Sequence, residues 1–401
     1  MLAAAELAQS GVQTLLIEPN RLLGKKLRIT GKGRCNLTND CDVKTFMENV
    51  PRNGKFLYSA VSRFTPADTM ALFERLGVPL KVERGSRVFP ASDSAHDIAN
   101  ALERACQKAG VHILRESVRK IEAENGAVAR VVTDETVVSC KTAILCTGGA
   151  SYPGTGSKGD GYALSEALGH SVIPPRPSLV PLVSPDDFCA EMQGFAPRNV
   201  SLRAFENEKL IYEELGEMLF THFGVSGPLV LSASAHMRNF DTKAYCLSLD
   251  LKPGLREKQL DERILRDFQK YQNRDFANAL GDLAGRAMIP ILVRLSGIPA
   301  DEKVNSITKE QRRTLVSLFK DFPIRISGPR PIDEAIVTSG GVNVKEIDPK
   351  TMASKIVSGL YLAGEVIDVD AYTGGFNLQI AWSTAHAAAL AVSNAVAASS
   401  T

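Results

Sequence analysis

The sequence predicts an α/β protein in which an inserted segment interrupts the main domain. Short apolar runs typical of parallel strands end in glycine-rich turns, and helical patterns follow these turns. Prolines cluster at 174–181 and again at 323–331, where this pattern stops and then resumes. Between the clusters the chain first alternates like β-strands and then takes on helical periodicity. We therefore expect a two-part α/β domain around an insert with a β part and a helical part.

The proline clusters also set the predicted domain boundaries, because prolines mark crossings between regular segments. The main domain is predicted to comprise residues 1–173 and 332–401. In the insert, the β part is predicted at 174–255 and 322–331, and the helical part at 256–321.

The chain begins with a predicted helix at 2–10 and a predicted strand at 12–17, which ends at Glu18. An acid at the tip of a strand that follows a helix is typical of a dinucleotide-binding βαβ unit, where it binds the adenosine ribose. The glycine-rich turn of such a unit lies roughly 20 residues earlier, ahead of Met1. This half-motif alone equally fits any helix–strand pair.

The next segment, RLLGKKLRITGKGRCNLTN at 21–39, predicts a phosphate-binding loop. Backbone N–H groups between Gly31 and Gly33, together with the guanidinium of Arg34, suit a phosphate, and Asn36 adds an amide. A solvated basic loop is the alternative, and the glycine spacing argues against it.

Alternating helix and strand patterns follow. Helices are predicted at 65–76 and 94–109, and a series of short strands at 111–146. The last strand runs into Thr147, Gly148 and Gly149, ahead of a second glycine-rich segment that opens another helix. This region again suits the close approach of a ligand.

The insert contains the loop GEMLFTHFGVSGP, in which His222 lies between two phenylalanines. A histidine in such surroundings is most often a partly buried structural residue, and the alternative is a catalytic role. Later in the insert, Thr308 and Gln311 form a capping box that predicts the start of a helix.

After the insert, a strand pattern at 336–342 returns the chain to the main domain. The run 360–363 predicts a buried parallel strand, and the Ala-rich run 377–396 predicts a helix. Gly374 and Gly375 stand at the start of this helix. Because a helix N-terminus offers free N–H groups and positive potential, a planar or anionic ligand is expected there. An ordinary strand–loop–helix connection is the alternative.

Composition excludes several classes of protein. A formal net charge of +2 gives no global argument for nucleic acid, and no apolar run approaches the roughly 20 residues that span a bilayer. Seven cysteines without CxxC or His/Cys clusters argue against a disulfide framework and a metal site. No signal peptide pattern follows Met1, so the expected location is the cytoplasm.

Five motifs in order carry a resemblance that spans nearly the whole chain. They are GKKLRITGKGRCNLTN, AILCTGGASYPGTGSKGDGYALSEALGH, GEMLFTHFGVSGP, AIVTSGGVNVKEIDPKTMASK and GLYLAGEVIDVDAYTGGFNLQIAWS. In these motifs the chain resembles the BaiN/YhiN-like flavoproteins, a bacterial family of FAD-dependent oxidoreductases. The resemblance implies a two-part Rossmann-like FAD-binding domain and an insert made of a β-barrel and a helical subdomain.

The resemblance also implies which residues bind FAD. Glu18 would hold the adenosine ribose, Val118 would meet the adenine through its backbone, and Gly364 with Glu365 would hold the ribityl chain. The pyrophosphate and flavin would be lined by Gly31, Gly33, Arg34, Cys35 and Asn36. The dinucleotide would be flanked by Thr147, Gly148 and Gly149. The flavin's pyrimidine edge would be met by Gly374, Gly375, Phe376 and Asn377.

The implied chemistry is hydride transfer from transiently bound NAD(P)H, through flavin N5, to a carbon–carbon double bond conjugated to a carbonyl. The substrate would be an enone-type small molecule such as an oxo-bile-acid diene, or uridine in ribosomal RNA, which would give dihydrouridine. A non-catalytic scaffold that has lost FAD is a third hypothesis. Candidate proton donors are Cys35, Tyr372 and His222, in that order. We expect basic surroundings near Arg34 to lower the pKa of Cys35.

Members of the resembling family begin with a strand and a GGG-x-x-G turn ahead of the helix that here starts at Met1. Either the coding sequence continues upstream, in frame, by about a dozen residues that supply this strand and turn, or this form lacks a central strand and the main pyrophosphate cradle. We expect the first, because every downstream motif is present.

Overall fold

The computed structural model describes residues 1–399. By its internal contacts the chain separates into two compact units. The first unit comprises Met1–Ser178 and Pro331–Thr401, and the second comprises Leu179–Arg330. The assignment of these units as independently folding domains stays a prediction.

The helices, in chain order, are α1 Leu2–Gln9, α2 Lys25–Ile29, α3 Val43–Glu48, α4 Gly54–Arg63, α5 Pro66–Arg75, α6 Ala95–Lys108, α7 Asp160–Ala167, α8 Phe188–Glu191, α9 Pro228–Ser234, α10 Glu257–Lys270, α11 Phe276–Ala279, α12 Ile289–Ser296, α13 Lys309–Lys320 and α14 Phe376–Ser399.

The strands are β1 Leu15–Ile17, β2 Thr38–Asn39, β3 Leu80–Glu83, β4 Arg87–Pro90, β5 His112–Leu114, β6 Val118–Glu124, β7 Ala127–Thr133, β8 Val137–Ser139, β9 Ala143–Leu145, β10 Val172–Ser178, β11 Leu182–Val183, β12 Arg198–Glu206, β13 Lys209–Glu217, β14 Leu219–Thr221, β15 Gly224–Ser226, β16 Tyr245–Asp250, β17 Phe322–Ile326, β18 Gly328–Pro329, β19 Val337–Val342 and β20 Leu360–Leu362.

The first unit contains two parallel strand pairs. Strand β1 pairs with β5, and β9 pairs with β20. The carboxyl ends of these strands lead into Glu18, Thr147 and the turn that begins at Gly364. Within each pair the two parallel strands end at the same edge, and ligands of α/β proteins usually bind beyond such ends. This arrangement positions the candidate site.

Antiparallel strands complete the first unit. Strands β6, β7 and β8 form one sheet, β2, β4 and β3 form another, and β10 pairs with β19. The loop between β6 and β7 consists of Asn125 and Gly126, both with positive φ, as a two-residue hairpin turn requires.

Helix α14 packs into the first unit along residues 376–389 and carries part of its polar interior. The Gln379 side-chain oxygen accepts hydrogen bonds from the hydroxyls of Thr38, at 2.6 Å, and Thr69, at 2.8 Å. The indole N–H of Trp382 donates to the backbone oxygen of Leu37 at 3.0 Å. These buried bonds fix α14 against β2, so the start of the helix has a defined position.

The second unit has its own apolar core and two antiparallel sheets, ordered β14-β15-β11-β18 and β13-β12-β16-β17. The predicted capping box is confirmed, because Thr308 and Gln311 exchange hydrogen bonds at the start of α13. Neither sheet closes on itself within the described residues, so the predicted β-barrel is not confirmed. Across residues 1–399, no helix has both the length and the apolar character needed to cross a membrane.

Candidate functional site

The tip of β1 is joined to the second glycine-rich segment. Glu18 Oε1 accepts hydrogen bonds from the backbone N–H and the side-chain amide of Asn20, at 2.9 and 2.7 Å. The same amide donates to the Thr155 backbone oxygen at 3.2 Å. Glu18 Oε2 has no hydrogen-bond partner in the described part of the chain, and it therefore remains able to accept a ligand hydroxyl.

The loop between α2 and β2 has an unusual backbone. Gly31, Lys32, Gly33 and Cys35 all have positive φ, at 57°, 59°, 83° and 58°. Two of these residues carry side chains, and a left-handed conformation costs such residues of order 1–3 kcal/mol. A Cβ on Gly33 would meet nothing within 4 Å. The loop is thus held in a strained shape with an open face at Gly33, which suits a phosphate group.

The guanidinium of Arg34 is bound by two carboxylates. It contacts Glu83 Oε1 at 2.5 Å and donates from Nε to Asp93 Oδ1 at 2.8 Å, and it lies 4.2 Å from the centre of the Phe89 ring. The hydrogen bond with Glu83 is the main cause that raises the pKa of Arg34, and it lowers the pKa of Glu83. A phosphate at Arg34 would have to compete with both carboxylates, so the backbone of this loop is the better phosphate ligand.

Cys35 is fully buried, with 0% of its surface exposed. Burial raises the pKa of its thiol to about 12. The expectation that basic surroundings lower this pKa is therefore wrong, because the Arg34 charge is turned toward Glu83 and Asp93. A buried thiol of high pKa behaves as a small apolar side chain, which argues against proton donation by Cys35, and its catalytic role stays a prediction.

The structure brings the basic loop and the start of α14 together. The amide of Asn39 donates to the Gly374 backbone oxygen at 3.1 Å. With its amide oriented to satisfy its neighbours, Asn36 accepts from the Gly375 N–H at 3.1 Å. A Cβ on Gly375 would lie 2.3 Å from the Thr38 backbone oxygen, so glycine is needed there for packing against β2.

The loop before α14 is held from both sides. The Asn377 side chain accepts from the Ala371 N–H at 2.9 Å and donates to the backbone oxygens of Ala371 and Tyr372. The Tyr372 N–H donates to the Asn49 oxygen at 3.0 Å, and Phe376 packs edge-to-face on Phe46. Tyr372 is half-buried, and its loop is fixed beside the helix start.

The turn after β9 is also closely packed. A Cβ on Gly148 would lie 2.8 Å from Ser157 Oγ, and one on Gly149 would lie 2.5 Å from Thr338 Oγ1. The hydroxyl of Thr147 is buried and has no hydrogen-bond partner among the described residues.

Val118, the residue expected to meet the adenine, is the first residue of β6.

An ion pair joins several of these turns. Lys26 Nζ donates to Glu365 Oε2 at 2.8 Å and to Ser151 Oγ at 2.9 Å. Glu365 Oε1 accepts from the Thr338 N–H at 2.8 Å. Sequence reasoning named Glu365 as a candidate but not its partners Lys26, Ser151 and Thr338. Nothing in the local sequence separates Lys26 from its neighbour Lys25.

The remaining candidate, His222, lies in the second unit. It is exposed at the turn between β14 and β15 and contacts the Phe223 ring edge-to-face, with ring centres 5.0 Å apart. The contacts that link the other candidate residues do not include it, so its catalytic role stays a prediction.

These residues fit a dinucleotide with a flavin ring. Glu18 keeps an oxygen for a ribose hydroxyl, and the left-handed loop has an open face at Gly33 for phosphate. The buried Thr147 hydroxyl lacks a partner among residues 1–399, and the start of α14 provides positive potential for an electron-rich ring edge.

Comparison with known proteins gives consistent matches over nearly the whole chain. The family model described as the HI0933-like protein Rossmann domain matches residues 1–391. A ribosomal RNA dihydrouridine synthase from Haemophilus influenzae is 34% identical over 399 residues, covering 98% of this chain and 96% of the relative. A 3-dehydro-bile acid delta(4,6)-reductase from Clostridium scindens is 30% identical over 391 residues, covering 96% of this chain and 94% of the relative.

The fold has a counterpart among solved structures. The FrdA protein of Escherichia coli quinol fumarate reductase aligns with a TM-score of 0.50 at 17% identity, covering 100% of this chain and 69% of that one. At this identity the likeness concerns the fold alone.

Proposed function

The chain belongs to the HI0933-like Rossmann family, and from that premise we propose that it is an FAD-dependent reductase of carbon–carbon double bonds conjugated to a carbonyl. Membership confirms the resemblance to the BaiN/YhiN-like flavoproteins. The observation that carries the proposal is the junction of the strained loop at Gly31–Cys35 with the start of α14, made by Asn36 and Asn39.

The substrate class is supported by the chemistry that two relatives share. By their names, a dihydrouridine synthase and a delta(4,6)-reductase both concern carbon–carbon double bonds. In uracil, the C5–C6 double bond is conjugated to the C4 carbonyl, so it is an enone in the same sense as a 3-oxo-diene. One reaction, with hydride at the β-carbon and a proton at the α-carbon, therefore accounts for both.

When bound, FAD would supply the hydride, which it takes in turn from NAD(P)H that binds transiently. The chain would supply orientation and charge. Glu18 would hold the ribose, the loop around Gly33 the pyrophosphate, and the start of α14 the pyrimidine edge. Among the three candidate donors, Tyr372 is best supported, because its loop is held beside the helix start. A phenol there can donate a proton to the α-carbon.

The proposal is tested by the visible absorbance spectrum of the purified protein, before and after incubation with FAD. We expect bound flavin that NADH or NADPH reduces under anaerobic conditions. Reoxidation of the reduced protein is then followed with a conjugated enone and, separately, with ribosomal RNA that lacks the modification. A protein that binds no FAD would support the scaffold hypothesis and reject the proposal.

Ribosomal RNA is the second candidate substrate. It is favoured by the Haemophilus influenzae relative at 34% identity, which is named a ribosomal RNA dihydrouridine synthase. Reoxidation by RNA together with formation of dihydrouridine would select this candidate. Reoxidation by the small enone alone would select the small-molecule reductase.

A further inference from the structure

We propose that Lys26 and Glu365 are positioning residues of the FAD site. Their ion pair, with Ser151 and Thr338, forms a clamp that holds helix α2, the turns after β9 and β20 and the start of β19 in the arrangement that binds FAD. This inference rests on the proposed function, because it concerns the same site. It departs from the resemblance, which implies that Glu365 holds the ribityl chain directly.

Lys26 uses all of its hydrogen-bonding capacity inside the clamp. An ammonium group has three hydrogens to donate. Nζ of Lys26 lies 2.8 Å from Glu365 Oε2, 2.9 Å from Ser151 Oγ and 3.3 Å from the Ser151 backbone oxygen. Its side chain is 23% exposed. With three acceptors in place, Lys26 ties α2 to the turn after β9 and has no hydrogen left for a phosphate.

Both oxygens of the Glu365 carboxylate also take part in the clamp. Oε1 accepts from the Thr338 N–H at 2.8 Å and from Ser151 Oγ at 3.3 Å, and Oε2 accepts from Lys26. Its charge is neutralised within the clamp. We therefore infer that the carboxylate serves the FAD site through Thr338 and Lys26.

Thr338 completes the connection between the turns. Its hydroxyl oxygen accepts from the N–H groups of Ala150 and Ser151, at 2.8 and 3.1 Å. A Cβ on Gly149 would lie 2.5 Å from this oxygen and 2.9 Å from Glu365 Cδ. Gly149 is thus required by the clamp itself. Thr338 therefore joins three segments: the turn after β9, the turn after β20 and the start of β19.

The partial burial of the pair gives the clamp a testable signature. Removing only the cation leaves a carboxylate without its partner, whereas removing both charges avoids that cost. A compensating change at Glu365 should therefore repair a change at Lys26. Such repair is not expected if Lys26 contributes only packing or helix stability.

The test measures the Kd for FAD by titrating apoprotein into FAD and following the flavin fluorescence. Lys26→Met should weaken FAD binding by about tenfold. Adding Glu365→Gln in that background should restore most of the affinity, because the amide oxygen still accepts from Thr338. The matched control is Lys25→Met, whose parent side chain is exposed on the same helix and has no ion-pair partner in the described residues. It should change Kd by less than about twofold.

The outcomes separate the clamp from the proposed function. If Lys26→Met binds FAD as tightly as Lys25→Met, or if Glu365→Gln brings no recovery, the clamp is rejected and the proposed function stands. If Lys26→Met only lowers the unfolding temperature of the apoprotein and leaves Kd unchanged, the pair stabilises the fold and does not position FAD. If the unmodified protein binds no FAD, the proposed function is rejected, and the clamp's role in it as well.

Discussion

His386 links the two ends of the first unit through a titratable pair. Its Nδ1 lies 3.0 Å from Glu6 Oε1 of α1, and its ring stacks on Phe64 with centres 4.6 Å apart. The hydrogen bond with Glu6 is the main cause that raises the pKa of His386, and Asp68 adds to it. Because the folded pKa is the higher one, the pair stabilises the fold fully below the unfolded pKa and loses this contribution as pH rises through the folded pKa.

We predict that Glu6→Gln removes this pH dependence. The unmodified protein should unfold at a higher temperature than Glu6→Gln. This difference in unfolding temperature should be about 1–2 °C larger at pH 6 than at pH 8.5. Thermal unfolding of both apoproteins, followed by circular dichroism at the two pH values, is the measurement. A difference between the proteins that does not vary with pH would show that the histidine is not titrating against Glu6.

His170 has contacts that resemble those of a catalytic histidine, but its partner serine has a structural role. His170 contacts Glu346 through Nδ1 at 3.1 Å and Ser354 Oγ through Nε2 at 2.8 Å, as in a serine nucleophile with its base. However, Ser354 Oγ also accepts from the N–H groups of Ile356 and Val357. Its oxygen is thus used to close a turn, and burial lowers the pKa of His170. The three side chains fasten a loop.

At the scale of elements, the contact between α14 and β2 depends on one glycine. Gly375 has a φ of 100°, and its missing Cβ would approach the Thr38 backbone oxygen to 2.3 Å. A side chain here faces both backbone strain and a clash with main-chain atoms that cannot rotate away.

We predict that Gly375→Ala destabilises the apoprotein by about 2–4 kcal/mol. Gly33→Ala is the matched control, because Gly33 also has positive φ, at 83°, but meets nothing within 4 Å. It should cost only the conformational strain, about 1 kcal/mol. Urea unfolding without FAD measures both. Equal losses for the two variants would mean that packing on β2 does not determine the need for glycine at Gly375.

Several elements could be predicted from the sequence, because their determinants are local. The helix after Gly375 and the capping box at Thr308 depend on neighbouring residues, and both are present. The environment of Cys35 could not be predicted, because the partners of Arg34 come from distant segments of the chain. Sheet closure in the insert also depends on which strand edges pair, and alternation within a strand does not determine that.

At the scale of the whole molecule, the two ends of the second unit lie side by side. The Arg330 N–H donates to the Pro181 oxygen at 2.9 Å, and β11 pairs with β18 in the register Leu182 to Pro329. This unit also has an apolar core of its own. A segment with adjacent ends and its own core has what it needs to fold alone.

We predict that residues 179–330, expressed as a separate polypeptide, unfold cooperatively on heating. The longer segment 174–331, which follows the boundaries predicted from the sequence, should be no more stable. Its additional residues up to Ser178 belong to β10, whose partner β19 is absent from both polypeptides. Circular dichroism during heating measures the transition. A gradual loss of signal in both polypeptides would reject independent folding.

The paired ends of the second unit also bear on how this gene can change over time. In the first unit, Ser178 pairs with Val337, so the points where the insert leaves and returns are neighbours there too. Recombination that replaced the whole of Leu179–Arg330 would therefore keep both junctions closed and leave the contacts within the first unit described above in place.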